Sequence, residues 1–167
     1  MSDATRRARL TLVSDCMSTL PIEPLLVDAD ADPLTIVRMA AGQPATRIIG
    51  VVDADGLLIG SLPVLRLAET IVARVSPETL LAGLADLDEA ARFGDEVGAR
   101  RVADVMLPPV SIEGSATVDD AFRLMHRHHM SGVYVVDAAG RPQGYLDLLE
   151  VMIRYLEALE AERPSGA

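Results

Sequence analysis

Cysteine, aromatic side chains and unbroken apolar runs are all scarce in this chain, and each scarcity closes off a class of protein. Cys16 is the only cysteine among 167 residues, so no internal disulfide can form, which fits a reducing compartment. Aromatics make up 3% of residues while half are hydrophobic, so a core has to be built from Val, Leu, Ile, Ala and Met. A chain of this length buries roughly 70% of its unfolded surface and needs no covalent staple. The most apolar stretch, residues 48–75, is interrupted by Asp53, Asp55, Arg66, Glu69 and Arg74. It falls well short of the ~18 clean apolar residues of a membrane span. The opening MSDATRRARLTLVSDCM contains no apolar signal-peptide core. A soluble cytoplasmic protein is expected. Positive charge is the minority sign, 15 basic against 25 acidic residues for a net charge of −10. A phosphate backbone is repelled by such a chain, so neither nucleic acid nor a membrane is an expected partner. The one basic cluster, Arg6, Arg7 and Arg9, reads as a solvated arm.

Catalytic groupings are equally sparse. A nucleophile needs a base within hydrogen-bond reach, and all three histidines fall within His126–His129. No G-x-S-x-G, Walker loop or C-x-x-C is present. His126 and His129 share a helical face, but no third metal ligand accompanies them. DADAD, Asp28 to Asp32, alternates carboxylates like a calcium loop, yet the glycine and glutamate such a loop requires are Pro33 and Met39 here. The expectation is no catalytic residue, no metal ligand and no obligatory cofactor.

What the chain has is repetition. VVDADGLLIGSL at 51–62 returns as VVDAAGRPQGYL at 135–146, 84 positions later. SDCM (14–17) is answered by ADVM (103–106), and PLTIVRMA (33–40) by VDDAFRLM (118–125). Within each copy the apolar period changes from strand to helix and back. EPLLVDA and PPVSIEG are short strand-prone runs. Asp32 before Pro33, and Thr117 three residues before Asp120, are helix starts. In TVDDAFRLMHRHH, residues Val118, Ala121, Phe122, Leu124 and Met125 form one face. Asp55-Gly56 and Ala139-Gly140 place glycine where a tight hairpin needs positive φ. A helix closes each copy. The fold class is therefore α+β (α/β): two strand–helix–strand–strand–helix repeats, packed through their sheets with pseudo-twofold symmetry, because one such unit alone leaves a sheet face bare. The expected division is an N-terminal arm over 1–13, repeat one over 14–75, a helical linker over 76–101, repeat two over 102–161 and a disordered tail over 162–167. In the linker, Ser76 and Pro77 open the first of two short helices, and Phe93 is a packing anchor. Met39, Met106, Met125, Met130 and Met152 read as core-facing gap fillers.

The ordered set DVM, LM…H and SGVYVVD…G…GYL, present in two copies, resembles a tandem cystathionine-β-synthase (CBS) domain pair, the Bateman module, over roughly residues 14–156. The resemblance implies a free-standing regulatory sensor, without attached enzyme or channel. Such a sensor binds an adenosine-type ligand (AMP, ADP, ATP or S-adenosylmethionine) in a cleft between repeats. It further implies a homodimer and a regulated partner protein that is not named by this sequence. The family's ligand-facing Gly-x-x-Thr/Ser-x-x-Asp falls on Gly144, Asp147 and Glu150 in the second copy and on Gly60, Pro63 and Arg66 in the first. Both copies depart at both polar positions: Asp147 repels a phosphate, Pro63 lacks a hydroxyl, and Arg66 accepts no hydrogen bond. His128 matches a loop residue near the phosphates, and Thr117, Val133 and Tyr134 complete the implied contacts of the second cleft. Arg38, Arg47 and Arg66 are positioned to gather around an anion in the first. The second cleft is expected to prefer neutral adenosine or a cationic sulfonium to AMP. The alternative reading is a degenerate pair that binds nothing small and serves as a dimerisation or docking scaffold.

Overall fold

The computed structural model describes residues 2–162. Of the tail expected over 162–167 only Glu162 is among the described residues; the rest lies outside them. In chain order the elements are α1 (Asp3–Leu10), α2 (Val13–Cys16), β1 (Leu26–Asp28), α3 (Pro33–Gly42), β2 (Ile48–Val52), β3 (Leu58–Pro63) and α4 (Val64–Val75). There follow α5 (Pro77–Leu81), α6 (Leu87–Gly98), a 3-10 turn at Val102–Asp104, β4 (Ser111–Glu113), α7 (Val118–His128), β5 (Gly132–Val136), β6 (Pro142–Asp147) and α8 (Leu148–Ala161). The strand–helix–strand–strand–helix order expected of each copy is present twice.

Each repeat builds one three-stranded sheet, β1-β2-β3 in the first and β4-β5-β6 in the second. In both, the first strand runs parallel to the middle one and the third antiparallel to it. The register repeats as well: Val51 faces Gly60 as Val135 faces Gly144, and each hairpin carries an irregularity after that pair. Gly56 (φ 77°) and Gly140 (φ 85°) close the hairpins in the left-handed region where a side chain is strained. The anticipated helix starts are in place. Asp32 accepts from the Leu34 N–H at 3.1 Å, and Thr117 and Asp120 form a reciprocal capping box.

The chain folds into two compact units, and they do not follow the linear order of the repeats. One consists of Leu25–Pro109; the other joins the chain up to Pro24 with the chain from Val110 onward. The cause lies in SDCM and ADVM. Val13 and Ser14 donate to the carbonyls of Ala116 and Gly114, at 2.9 and 3.0 Å, clasping the loop ahead of α7. Val102 and Ala103 make the equivalent pair of bonds to Ala31 and Ala29, at 2.9 and 2.8 Å, ahead of α3. Each landmark tetrapeptide thus belongs to the unit built on the other repeat's sheet.

The Leu25–Pro109 unit is cored by Val27, Ile36, Ile49, Val51, Leu62 and Leu67, closed by Ala99, Val102 and Val105. In the other unit Val13, Ala121, Met125, Val133, Leu146 and Val151 are buried. Tyr134 and Tyr145 meet edge to face there, ring centroids 5.3 Å apart. Burying each such aliphatic side chain contributes about 1.5–3 kcal/mol, so the near-absence of aromatics is no obstacle.

Several local expectations are corrected. The segment expected as an arm over 1–13 contains the helix α1, packed on α8. Arg9 of its basic cluster makes a two-pronged contact with Asp119, at 3.1 Å for each nitrogen. Phe122 lies on the exposed side of α7, stacked on His126. Met39 and Met152 are exposed, whereas Met125 and Met130 are buried as expected. Ser76 precedes α5 but caps no helical N–H; its hydroxyl contacts Glu78 and Thr79 instead. The two linker helices are present as α5 and α6, and Phe93 lines a groove with Leu80 and Leu84.

Candidate functional site

In each repeat the third strand runs directly into the closing helix, and that junction carries the residues singled out in the sequence. In the second repeat Gly144 lies in β6 opposite Val135. A Cβ added at Gly144 would sit 2.9 Å from Met17 Sδ, so the side chain of the clasping SDCM segment occupies that space. Asp147 ends β6 and caps α8, accepting from the Leu149 N–H at 2.8 Å. Glu150 completes the capping box by accepting from the Asp147 N–H at 2.9 Å. Its other oxygen accepts from the Leu20 N–H, also at 2.9 Å, and the Cys16 thiol donates to the Glu150 carbonyl at 3.5 Å. Glu150 is 0% exposed. Burial pushes its carboxyl above the ordinary value, with the amides of Leu20 and Asp147 pulling the other way and the Asp147 charge adding to the rise. Asp-x-x-Glu here is thus first a helix-starting device that the sequence shows as a spacing of three before an apolar run.

The remaining residues assigned to that site do not all converge on it. Val133 and Tyr134 are buried in β5. Gly132 at the start of β5 pairs with Asp147, and the Leu148 N–H donates to the Ser131 carbonyl at 2.9 Å, so the chain just before β5 abuts the head of α8. Thr117 is committed to its capping box with Asp120 and lines a separate groove with Arg6, Arg9, Leu10 and Asp119. His128 is the exposed last residue of α7, and His129 ends the helix in the left-handed conformation, φ 53°. Among the described residues no three His, Cys, Asp or Glu side chains converge to hold a metal ion.

In the first repeat the same junction is built with opposite charge. Gly60 in β3 lies against Met106, whose Sδ would be 2.3 Å from an added Cβ. Ser61 and Leu107 exchange two backbone hydrogen bonds, at 3.0 and 2.9 Å. Arg66, in the first turn of α4, donates through Nε to the Val105 carbonyl at 2.9 Å and through Nη1 to Glu96 Oε1 at 3.0 Å. Glu96 is buried on α6. Burial raises its carboxyl above the usual range; Arg66 opposes the rise and Glu69 adds to it. Arg38 is exposed on α3. Arg47, also exposed, lines an apolar groove between α3 and α4 with Val37, Ala40, Val64, Leu67 and Ile71, a cavity of about 490 Å³ that includes neither Arg38 nor Arg66. The three arginines are therefore not brought together. Asp30, one of the nearby carboxylates, pairs with Arg101 at 2.9 Å.

Sequence reasoning missed Glu96, Leu20 and Met17, and it read Met106 as a core-facing gap filler, which packs against the core as expected but also fills the space beside Gly60. Glu96 sits in a segment with no counterpart in the repeat, and Leu20 acts through its backbone, so neither carried a signal. Met17 and Met106 did: each is the last residue of a repeated tetrapeptide.

The CBS-domain family profile matches residues 102–157. No curated protein matches the chain. Among solved structures, a CBS domain-containing protein from Thermotoga maritima is 23% identical with a TM-score of 0.71, over 93% of this chain and 99% of that one. CBSX2 from Arabidopsis thaliana, in complex with AMP, is 21% identical with a TM-score of 0.64, over 92% and 99% of the two chains. The CBS domain pair of protein MJ0100, in complex with 5′-methylthioadenosine and S-adenosyl-L-methionine, is 16% identical with a TM-score of 0.64, over 89% and 98%. No helix among the described residues is long and apolar enough to cross a membrane. Residues 102–157 match the CBS-domain family, and the chain has the fold of a CBS-domain pair.

Proposed function

We propose that this chain is a regulatory, non-enzymatic module that senses an adenosine-type ligand at the junction of β6 and α8, in a cytoplasmic setting where Cys16 stays a free thiol. The observation that carries the reading is Glu150, a wholly buried carboxylate at a strand–helix junction behind a glycine, in a fold whose solved examples hold AMP or S-adenosyl-L-methionine with 5′-methylthioadenosine. Asp147 and Glu150 both oppose a phosphate, which favours adenosine or a sulfonium over AMP. Thermal unfolding with adenosine, AMP, ATP with and without magnesium, and S-adenosylmethionine tests this. A ligand at 100-fold over its dissociation constant adds about 2.7 kcal/mol, which raises Tm by roughly 5–10 °C for a domain of this size. AMP outcompeting adenosine contradicts the charge argument, and no shift with any of them contradicts the reading.

A second reading is a homodimerising or partner-docking scaffold. It is favoured by Glu150 and Arg66 both being engaged by the chain's own backbone, and by the exposed apolar row Leu149, Met152, Leu156 and Leu159 on α8. A row of this kind fits a second copy of the chain. Light scattering should show twice the chain mass, returning to one for Met152→Glu/Leu156→Glu; a wild-type monomer at micromolar concentration removes the homodimer from both readings.

A further inference from the structure

The carboxylate that would receive a ribose diol is wholly buried, and each of its oxygens already accepts a backbone N–H. One oxygen of Glu150 is taken by its own helix cap, the Asp147 N–H, and the other by the N–H of Leu20, 130 positions earlier in the chain. Leu20 belongs to a strap that leaves α2 and reaches the other compact unit at Leu25. The strap has no helix or strand, contains Pro21 and Pro24, and exposes Ser18, Thr19, Pro21, Glu23 and Pro24 to solvent. It is tied to α8 by the Leu20 bond and by Arg154 Nη2, which donates to the Thr19 hydroxyl at 3.3 Å. A cap bond lies within the helix start and is costly to remove, whereas the Leu20 N–H sits on an irregular, largely solvated segment that water can satisfy once it lifts.

We infer that the Leu20 strap is an autoinhibitory contact over Glu150, released when a nucleoside diol replaces the Leu20 N–H as hydrogen-bond donor. The inference rests on the ligand reading above and deepens it by naming the moving part. Glu150 is 0% exposed, so a diol reaches the oxygen under Leu20 only by displacing the strap, and ligand occupancy and strap docking exclude each other. The closed strap lowers apparent affinity by the fraction of molecules in which it is docked. Release loosens residues 18–24.

The test reads hydrogen exchange at the Leu20 amide by NMR in the intact chain, without ligand and with saturating adenosine or S-adenosylmethionine, beside calorimetry of the wild type and of Leu20→Pro, which removes the donor and leaves Glu150 in place. The Leu20 amide should be protected in the free protein and exchange about tenfold faster with ligand. Leu20→Pro should bind adenosine about five- to tenfold more tightly than the wild type. A free protein whose Leu20 amide is unprotected overturns it. So does adenosine that raises Tm while leaving Leu20 as protected as before, an outcome under which the ligand reading stands. If neither protein binds any probe, the ligand reading fails and the strap with it; the hydrogen-exchange experiment on the wild type keeps the question open to refutation even if Leu20→Pro does not fold.

Discussion

Gly132→Ala probes the packing beneath the head of α8. Gly132 begins β5 and pairs with Asp147, and a Cβ there would lie 1.9 Å from the Tyr145 hydroxyl oxygen and 2.3 Å from its Cζ. Tyr145 is 1% exposed and is held edge-on by Tyr134, so the rigid ring has no empty space to swing into. Overpacking a core typically costs about 1–3 kcal/mol, and an overlap this deep against an aromatic ring puts Gly132→Ala at the top of that range, about 3 kcal/mol. At roughly 2–4 °C per kcal/mol for a domain of this size, Tm falls by roughly 6–12 °C. Two other glycines calibrate the effect. At Gly144 the obstacle is the flexible thioether of Met17 at 2.9 Å, so alanine costs about 1 kcal/mol or less. At Gly42, the last residue of α3, nothing lies within 4 Å, and alanine is neutral or stabilising by up to about 1 kcal/mol. Calorimetry or urea unfolding reads all three. A cycle with Tyr145→Val then isolates the clash: without the ring, Gly132→Ala should cost under about 1 kcal/mol, a coupling of about 2 kcal/mol. A Gly132→Ala protein melting within about 2 °C of wild type, or a purely additive cycle, refutes the packing.

Two further outcomes follow from the buried charges. Arg66→Met leaves Glu96, whose side chain is 8% exposed, without its cation. Breaking a buried pair costs about 3–5 kcal/mol; the 17% exposure of the Arg66 side chain admits water and reduces that to about 2–3 kcal/mol, measurable by urea unfolding, and a neutral Arg66→Met contradicts the tie. The pH dependence of Tm has two limbs. Asp119, held down first by the Arg9 hydrogen bond, and Asp104 and Asp120, held down by backbone and Thr117 bonds, all lie below their ordinary value of 3.8. Their contribution is present above that value and is lost as pH falls through their depressed ones. Glu96 and Glu150 are raised above 4.5 by burial, so their contribution is complete below that value and is lost as pH rises through the raised ones. Tm should therefore peak on the mildly acidic side and decline in both directions; a Tm climbing steadily from about pH 5 to about pH 8 rules this out.

The two junctions show what in this fold was legible and what was not. Elements written in local chemistry were readable: the hairpin glycines at 56 and 140, the caps at Asp32 and Thr117, and the twofold recurrence of strand, helix, strand, strand, helix. Anything depending on which copy a segment packs against was not, because SDCM and ADVM look the same whichever sheet they clasp. Helix faces failed for a related reason: Phe122 and Met152 sit at apolar spacing, and periodicity marks a stripe without saying that part of it stays uncovered. The site residues are the instructive case. Arg66 and Glu150 occupy the same place in their repeats, six residues after the glycine, and by the family pattern both look like damage to one ligand acceptor. In the folded chain both reach backbone of the clasping segment, at different places: Arg66 donates to the carbonyl of Val105, inside its tetrapeptide, and Glu150 accepts from the N–H of Leu20, three residues beyond its own. A backbone offers donors and acceptors alike, so the junction asks for a polar side chain here while leaving its charge free. Opposite charges at matched positions are what such a constraint permits, and a motif defined by residue type cannot register it.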